Sequence, residues 1–323
     1  MNNLLREHRT VGIVGLAKNT GKTTTLNALI QTYKHKTIGL TSIGLDGEKI
    51  DQMTYLPKPR IEVSASMVVA TATQCLRDCS LAYTLLEETP FQTALGPIVL
   101  VKIEESGHLV IAGPTTNQAM NHVINRLKTY TDHVFIDGAF NRLTFASIES
   151  IDAIILATGA SVHLDMDETI KKTLNAVNTF SLPLREMPQL TPLEKMVVYH
   201  EKIPTTFDRK DYTHLIKLYQ TNPFTALYVK GAITETLCNH FIRHQMKNFT
   251  LIAQDATKFL LPVRYSDYLK SLAIKKAVLR NINLLAVTIN PESPTGKHYD
   301  AELFKHALAK KLDVPVINVK RTE

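Results

Sequence analysis

The sequence predicts an α/β protein with a mostly parallel, doubly wound sheet and a smaller α/β domain at its C-terminal end. Three observations indicate this class. Short apolar runs alternate with helical stretches along most of the chain, and a glycine-rich turn follows the first apolar run. Four prolines between residues 181 and 209 predict a joint between a domain at 1–205 and another at 206–323.

The first apolar run, residues 10–14, is predicted to be a strand, and residues 24–33 a helix. The turn between them contains Gly-Lys-Thr, which is typical of a P-loop, whose backbone N–H groups attract phosphate. Lys22 is expected to reach the β- and γ-phosphates of a nucleotide, and the Thr23 hydroxyl to bind Mg²⁺. The residues expected to surround the phosphates are Gly15, Lys18, Asn19, Thr20, Gly21, Lys22, Thr23 and Thr24.

The turn departs from the usual spacing G-x-x-x-x-G-K-[ST], because Leu16 stands where the first glycine is expected. Gly15 comes one residue early, which predicts a loop with a different path. Gly12 and Gly15 still keep large side chains away from its entry. The alternative is a glycine-rich turn with a surface lysine and no ligand.

Two further strands are expected to bring acidic residues to the same edge of the sheet. Residues 37–40 form a short apolar run, which leads to Asp46 and Glu48. Loops at the carboxyl ends of parallel strands line the ligand crevice, so Asp46 is a candidate for binding the metal or activating a nucleophile. A solvated Asp-Gly turn is the alternative.

The run HVFID at 133–137 has the Walker B pattern, an apolar strand that ends in a carboxylate. Mg²⁺ prefers hard oxygen ligands, so Asp137 is expected to hold it together with Thr23 and Asp46. Lys22, Asp46 and Asp137 are the predicted catalytic residues. Arg142 follows in the next loop, where it would contact phosphate or lie on the surface.

The remaining patterns predict the other elements in order. In the first domain they are a helix within 63–77, a helix at 81–88, a hairpin of 98–103 with 109–112, a helix at 117–130, a strand at 153–157 and a helix at 165–179. A short helix or strand near 195–200 lies at the joint. The second domain is predicted to contain strands at 226–229, 249–253, 284–289 and 314–319, with helices at 232–246, 265–274 and 301–312.

Asn290 follows one of these strands, where its amide would read a base or a substrate amide. The alternative is a proline-rich turn. The Asn-Lys-x-Asp sequence that commonly selects guanine does not occur in the chain, which favours ATP over GTP.

Composition limits the remaining classes of function. The net charge is +7, but the lysines are dispersed, so no nucleic-acid partner is expected. Cys75 and Cys79 are four residues apart on a stretch that is predicted to be helical. They are either half of a metal site or two small residues of the core. No pair of His or Cys residues with the spacing of a zinc site lies nearby in the sequence, which favours the core. No run of eighteen apolar residues and no signal peptide occur, so a cytoplasmic protein without membrane contact is expected.

The stretch GLAKNTGKTTT at 15–25 resembles the SIMIBI class of P-loop proteins, which includes dethiobiotin synthetase and chaperones of B12-dependent mutases. Lys18 is similar to an additional loop lysine of that class. It precedes Lys22 by four residues where other members have five, so that role is not transferred to it.

Eight further segments show a second resemblance: 41–48 (TSIGLDGE), 58–59 (KP), 70–72 (ATA), 95–97 (LGP), 112–114 (AGP), 136–142 (IDGAFNR), 157–160 (ATGA) and 287–294 (VTINPESP). Together they resemble the reactivase, the accessory ATPase subunit of adenosylcobalamin- and PLP-dependent lysine 5,6-aminomutase. Leu45 departs from that pattern, in which an arginine is expected.

The resemblance implies a chain that uses ATP and Mg²⁺ to drive exchange of damaged cobalamin on the aminomutase, together with a second reactivase subunit. The chain has no Asp-x-His-x-x-Gly stretch, so any contact with cobalamin would be indirect. A homodimer is left open.

Two other functions remain alternatives to the reactivase. An enzyme of dethiobiotin synthetase type would use ATP to activate a carboxylate and would depend on a small metabolite. A nucleotide-binding module would bind without turnover.

Overall fold

The computed structural model describes residues 4–5, 7–43, 61–138, 150–186, 196–200, 203–208 and 211–320. The chain forms two compact units. One contains Met1–Ile170 and Asn283–Glu323, and the other contains Lys171–Ile282.

The first unit is built on a nine-stranded sheet of order β16-β15-β9-β1-β8-β2-β4-β6-β5. The strands from β16 to β4 are parallel, whereas β6 runs antiparallel to β4 and β5 antiparallel to β6. The strands of this sheet are β1 (Thr10–Gly15), β2 (Ile38–Ser42), β4 (Val68–Ala72), β5 (Tyr83–Thr93), β6 (Gly96–Ile103), β8 (His133–Asp137), β9 (Ala153–Gly159), β15 (Asn283–Asn290) and β16 (Val316–Asn318).

Two smaller sheets complete the described strands. In the first unit, β3 (Ile61–Val63) pairs with β7 (Gly107–Leu109). The second unit has a five-stranded sheet of order β11-β10-β12-β13-β14, in which β12, β13 and β14 are parallel. Its strands are β10 (Met196–His200), β11 (Ile203–Phe207), β12 (Ala226–Val229), β13 (Thr250–Ala253) and β14 (Lys275–Val278).

The helices follow the apolar spacing of the sequence, and three of the described α-helices, α3, α5 and α8, begin at a residue whose side chain caps the helix. The Thr116 hydroxyl accepts a hydrogen bond from Ala119 N at 3.2 Å, and the Asp300 carboxylate accepts one from Leu303 N at 2.8 Å. The described helices are α1 (Lys22–Thr32), α2 (Thr73–Arg77), α3 (Asn117–Tyr130), α4 (Met166–Phe180), α5 (Tyr212–Thr221), α6 (Glu235–Arg243), α7 (Arg264–Ser271) and α8 (Ala301–Ala309), with a 3-10 turn at Ala256–Lys258.

The predicted α/β class and the large, mostly parallel sheet are confirmed. The first strand, the helix that follows the glycine-rich turn and the strand that ends at Asp137 lie where the sequence predicts them. The apolar residues Leu26, Leu29 and Ile30 bury one side of α1 in a cluster with strand residues of the sheet.

Of the elements predicted between residues 63 and 112, the helix at 81–88 and the hairpin are wrong, and the helix within 63–77 is confirmed only as the short α2. Residues 68–72 form a strand before the short α2, and residues 81–88 belong largely to β5 instead of a helix. Residues 98–103 pair with β4 and β5, so they form no hairpin with β7. β-Branched and aromatic residues favour the strands here, and Pro90 is tolerated because β5 is an edge strand.

The structure divides the chain differently from the predicted domains 1–205 and 206–323. β15 and β16 extend the sheet that contains β1, so residues from 283 onwards belong to the first unit. The second unit is thus an insertion between β9 and β15. Because an apolar strand pattern looks the same in either sheet, the sequence does not specify which sheet a strand joins.

The parallel register brings the carboxyl ends of the central strands together. Ile13 of β1 pairs with Asp137 of β8, and Ser42 of β2 pairs with the same residue. On the other side of β1, Gly15 pairs with Ala157 of β9, and Gly159 pairs with Asn290 of β15. The turns that follow these strands therefore lie along one edge of the sheet.

Gly113 lies against the end of β2, where a side chain has no room. A Cβ atom there would be 1.8 Å from the Ser42 carbonyl oxygen, so backbone would have to move. We expect Gly113→Ala to lower the free energy of unfolding in urea by about 3 kcal/mol.

Gly296→Ala is the control for this substitution. No atom of the described residues lies within 4 Å of its Cβ position, and the left-handed φ of 80° makes a loss of about 1 kcal/mol in the free energy of unfolding the expected result. Equal decreases in the free energy of unfolding of the two variants would contradict the close contact between Gly113 and the Ser42 carbonyl oxygen.

Within the described part of the chain, the longest apolar helices are too short or too polar to cross a bilayer.

Candidate functional site: the turn between β1 and α1

The turn from Leu16 to Gly21 connects β1 to α1 at the edge formed by the strand ends. Its backbone enters the left-handed region at Asn19, with φ of 59°, and at Gly21, with φ of 88°. Asparagine and glycine are the residues that adopt this conformation most readily. The residue types at 19 and 21 therefore allow the chain to reverse sharply before the helix.

Thr20 and Gly15 make the turn compact. The buried Thr20 hydroxyl donates to the Ala17 carbonyl oxygen at 3.0 Å. A Cβ atom at Gly15 would lie 2.6 Å from that hydroxyl and 3.1 Å from the Lys22 side chain. The glycine one residue early in the motif is thus required by close packing around Thr20 and Lys22.

The N-terminus of α1 has no side-chain cap and no acidic residue in its first turn. Lys22, Thr23 and Thr24 occupy the first three helical positions, where the backbone N–H groups have no partner within the helix. The positive end of the helix dipole lies at the same place. This end of α1 is therefore suited to an anion such as phosphate.

Lys22 and Asp137 influence each other electrostatically. Burial lowers the pKa of the Lys22 ammonium group, the charge of Asp137 raises it, and the charge of Lys18 lowers it further. Burial raises the pKa of the Asp137 carboxyl group from 3.8 to about 6, and the charge of Lys22 opposes this rise. The two side chains therefore belong to one electrostatic environment at the strand ends.

Asp137 has an unused hydrogen-bond acceptor. Its Oδ1 atom is buried and has no hydrogen-bond partner among the residues that the structure describes. A buried carboxylate oxygen without a donor is costly, and such atoms commonly face a ligand or an ion. The position at the end of β8 and the oxygen chemistry fit a Mg²⁺ ion held with the Thr23 hydroxyl.

In the part of the chain that the structure describes, few other side chains are placed to bind a metal ion together with Asp137. No group of three or more His, Cys, Asp or Glu side chains there is arranged to hold a metal. Of the three metal ligands predicted from the sequence, only Asp137 and Thr23 are among the described residues, and such a pair suits Mg²⁺ bound mainly through nucleotide phosphates and water.

Asn290 contacts the turn through its side chain, whereas the sequence analysis expected that side chain to read a base or a substrate amide. Its Nδ2 atom donates to the Asn19 carbonyl oxygen at 3.0 Å, and its Oδ1 atom accepts from Glu292 N at 3.3 Å. A Cβ atom at Gly21 would lie 3.1 Å from Asn290 Cβ. Asn290 thus lies against the turn, 271 residues away in sequence from Asn19.

A cavity of about 760 Å³ begins at the residue after Asn290. The turn after β15, the start of α8 and the end of β16 surround it, and Glu292 and Lys320 form an ion pair in its wall. Its lining residues include Pro291, Glu292, His298, Tyr299, Asn318 and Lys320.

The structure brings together the predicted residues of the turn, Asp137 and Asn290. Asp46, Glu48, Leu45 and Arg142 lie outside the described residues. The hydroxyl groups of Ser161 and Thr288 were not predicted. Ser161 Oγ donates to the Asn19 carbonyl oxygen at 3.3 Å, and Thr288 Oγ1 is 2.8 Å from Thr25 Oγ1 of α1. Neither residue has a local sequence signal, because its partner is far away in the chain.

A comparison of the sequence with models of protein families and with curated proteins found no significant match.

Proposed function

We propose that the chain is a P-loop nucleoside triphosphatase with a doubly wound nucleotide-binding domain and that its substrate is ATP with Mg²⁺. The observation that carries this proposal is the uncapped N-terminus of α1 at the strand ends, next to the half-buried Lys22 and to Asp137, whose Oδ1 atom has no hydrogen-bond partner among the described residues. In this proposal the helix end binds the phosphates, Lys22 is the cation beside them, and Asp137 is a ligand of the metal.

Each residue has a distinct task in this proposal. The N–H groups of the turn and of the first helical positions hold the phosphate oxygens. The Lys22 ammonium group neutralises charge that grows on the oxygen between the β- and γ-phosphates as water attacks the γ-phosphorus and ADP leaves. Asp137 and Thr23 would hold Mg²⁺, and the ion would supply further neutralisation of the phosphates. The role of Asp46 as an additional carboxylate stays a prediction.

The cavity beyond Asn290 favours a nucleotide over free phosphate as the ligand of the turn. It lies in the same unit as the turn and begins at Pro291, next to the residue that contacts Asn19 and Gly21. A volume of about 760 Å³ has room for a base and a ribose. The preference for adenine rests on the absence of an Asn-Lys-x-Asp sequence.

We further propose that hydrolysis serves a B12-dependent aminomutase, on which this chain and a second reactivase subunit exchange damaged cobalamin. The support is the resemblance of segments such as residues 136–142 (IDGAFNR) and 287–294 (VTINPESP) to reactivases. Part of each of these two segments lies at the edge that contains the turn, because β8 ends at Asp137 and β15 ends at Asn290.

The experiment is to measure phosphate release from ATP and from GTP by the purified protein with Mg²⁺, alone and with a B12-dependent aminomutase. We expect slow hydrolysis of ATP alone and an increase of at least about tenfold when the aminomutase is added. EDTA is expected to abolish the activity.

Three outcomes separate the candidates. Activity that the aminomutase does not change, but that a small carboxylic acid increases, would favour an enzyme of dethiobiotin synthetase type. Preference for GTP would overturn only the assignment of the base. Absence of any nucleotide binding in calorimetry would overturn the proposal as a whole.

A further inference from the structure

Asn290 is held in one orientation by its surroundings. Its Oδ1 atom accepts from Glu292 N, so its Nδ2 atom is the side that faces Asn19. Its own carbonyl oxygen accepts from Ala160 N at 3.0 Å. Gly159 allows this approach, because a Cβ atom there would be 1.9 Å from that oxygen. The amide of Asn290 is therefore already positioned before any ligand binds.

The turn forms hydrogen bonds with residues at the ends of two neighbouring strands, β9 and β15. Leu16 N donates to the Ala157 carbonyl oxygen of β9 at 3.0 Å. The Asn19 carbonyl oxygen accepts from Asn290 Nδ2 at 3.0 Å and from Ser161 Oγ at 3.3 Å. These contacts hold both the entry of the turn and the left-handed residue Asn19 in the middle of it.

The contacts occur where the sequence departs from the usual motif. Leu16 stands in the position of the expected glycine, so the turn lacks one residue that adopts unusual backbone conformations easily. Bonds from β9 and β15 hold the turn from outside. A preformed turn binds phosphate without the entropic cost of ordering its N–H groups.

We propose that Asn290 is a positioning residue that acts through Asn19 on the phosphate-binding turn and does not read the base. This inference rests on the proposed nucleotide site. It makes a specific distinction: a residue that orders the turn affects every ligand that has a triphosphate, whereas a residue that reads the base affects only nucleotides.

The test compares three ligands by isothermal titration calorimetry with Mg²⁺: ATP, GTP and inorganic tripolyphosphate, which has no base. We expect Asn290→Ala to lower the affinity for ATP and the affinity for tripolyphosphate by the same factor, about five- to tenfold, because one hydrogen bond to the turn is lost. Asn290→Asp has nearly the same shape but cannot donate, and we expect at least the same loss.

Asn283→Ala is the matched control. Asn283 is at the opposite end of the same strand, and its Nδ2 atom also donates to a backbone carbonyl oxygen, that of Asp152, at 3.1 Å. We expect it to leave the affinity for all three ligands unchanged. Thermal unfolding of both variants measures any general loss of stability.

Amide hydrogen exchange of the protein without ligand provides a second measurement. The amides of residues 16–21 are expected to exchange faster in Asn290→Ala than in the wild type or in Asn283→Ala. This measurement remains informative if a variant binds too weakly for calorimetry.

The outcomes are distinguishable. A loss of affinity for ATP with unchanged binding of tripolyphosphate would show that Asn290 reads the base and would overturn the inference while keeping the nucleotide site. Unchanged affinity for all ligands in Asn290→Ala would also overturn it. If the wild type binds neither ATP nor tripolyphosphate, the proposed function itself is wrong and the inference falls with it.

Discussion

Lys22→Ala is expected to lower the affinity for ATP about a hundredfold and the rate of hydrolysis at least about a thousandfold. The Lys22 side chain is half-buried, and its ammonium group lies in the same electrostatic environment as Asp137. It would be the principal cation of the chain at the phosphates, and its charge is worth more there than at an exposed position because water screens it less. Calorimetry with a nonhydrolysable ATP analogue and phosphate-release assays measure the two effects.

Lys18→Ala is the control for Lys22→Ala. Lys18 is near enough for its charge to lower the Lys22 pKa, but it belongs to the turn and not to the first helical turn. We expect the affinity of Lys18→Ala for ATP to fall by at most about fivefold, because solvent partly screens the charge of Lys18. If the two alanine variants lose affinity equally, a general basic patch binds the nucleotide and Lys22 has no special role.

Asp137→Asn is expected to have opposite effects on activity and on stability. Hydrolysis with Mg²⁺ should fall at least about a hundredfold, because a neutral amide is a poorer ligand than a carboxylate. The protein without ligand should become more stable at neutral pH. Its buried carboxylate has a pKa of about 6 instead of 3.8, so ionisation of Asp137 opposes folding.

The sign of this pH dependence follows from proton binding. The folded state binds the proton of Asp137 more tightly than the unfolded state does, so stability is greatest below pH 3.8 and is lost as the pH rises to about 6 and above. The difference between the two pKa values corresponds to about 3 kcal/mol. Asp137→Asn should lack this loss, and its advantage should therefore appear at pH 7 and vanish near pH 4.

Urea denaturation at pH 4, 5.5 and 7 in the presence of EDTA measures this difference. Parallel stability curves for the wild type and Asp137→Asn would mean that Asp137 has an ordinary pKa. In that case the burial of its Oδ1 atom would not create the metal ligand that we infer. Asp132→Asn serves as a control just before the opposite end of β8. Backbone and side-chain hydrogen bonds from Thr37 lower the pKa of Asp132, so this substitution should reduce stability at pH 7 instead of raising it.

Local patterns were sufficient to predict the central part of the site. The run from Thr10 to Gly15 is apolar and buried, Gly21 takes the left-handed conformation that its place before the helix requires, and His133–Asp137 forms a buried strand. Each of these features depends on a few adjacent residues. Physical rules for strands, turns and helix starts therefore apply to them without knowledge of the rest of the chain.

These local rules do not predict contacts between segments that are distant in the sequence. Residues 81–88 contain both helix- and strand-favouring residues, and pairing with β6 makes them a strand. Asn290 meets Asn19 only because β15 joins the first sheet beyond β9, across an insertion of the whole second unit. No spacing in the sequence indicates that choice of sheet.

The amino-acid order alone therefore accounts for the glycine-rich turn, its lysine and the carboxylate that ends β8, because backbone sterics and apolar periodicity act over short distances. The partners of the turn, Ser161 and Asn290, and the raised pKa of Asp137 come from the assembled sheet. Burial and long-range hydrogen bonds do not exist until the strands have paired, and these are the interactions that hold the turn in place and change the chemistry of the carboxylate.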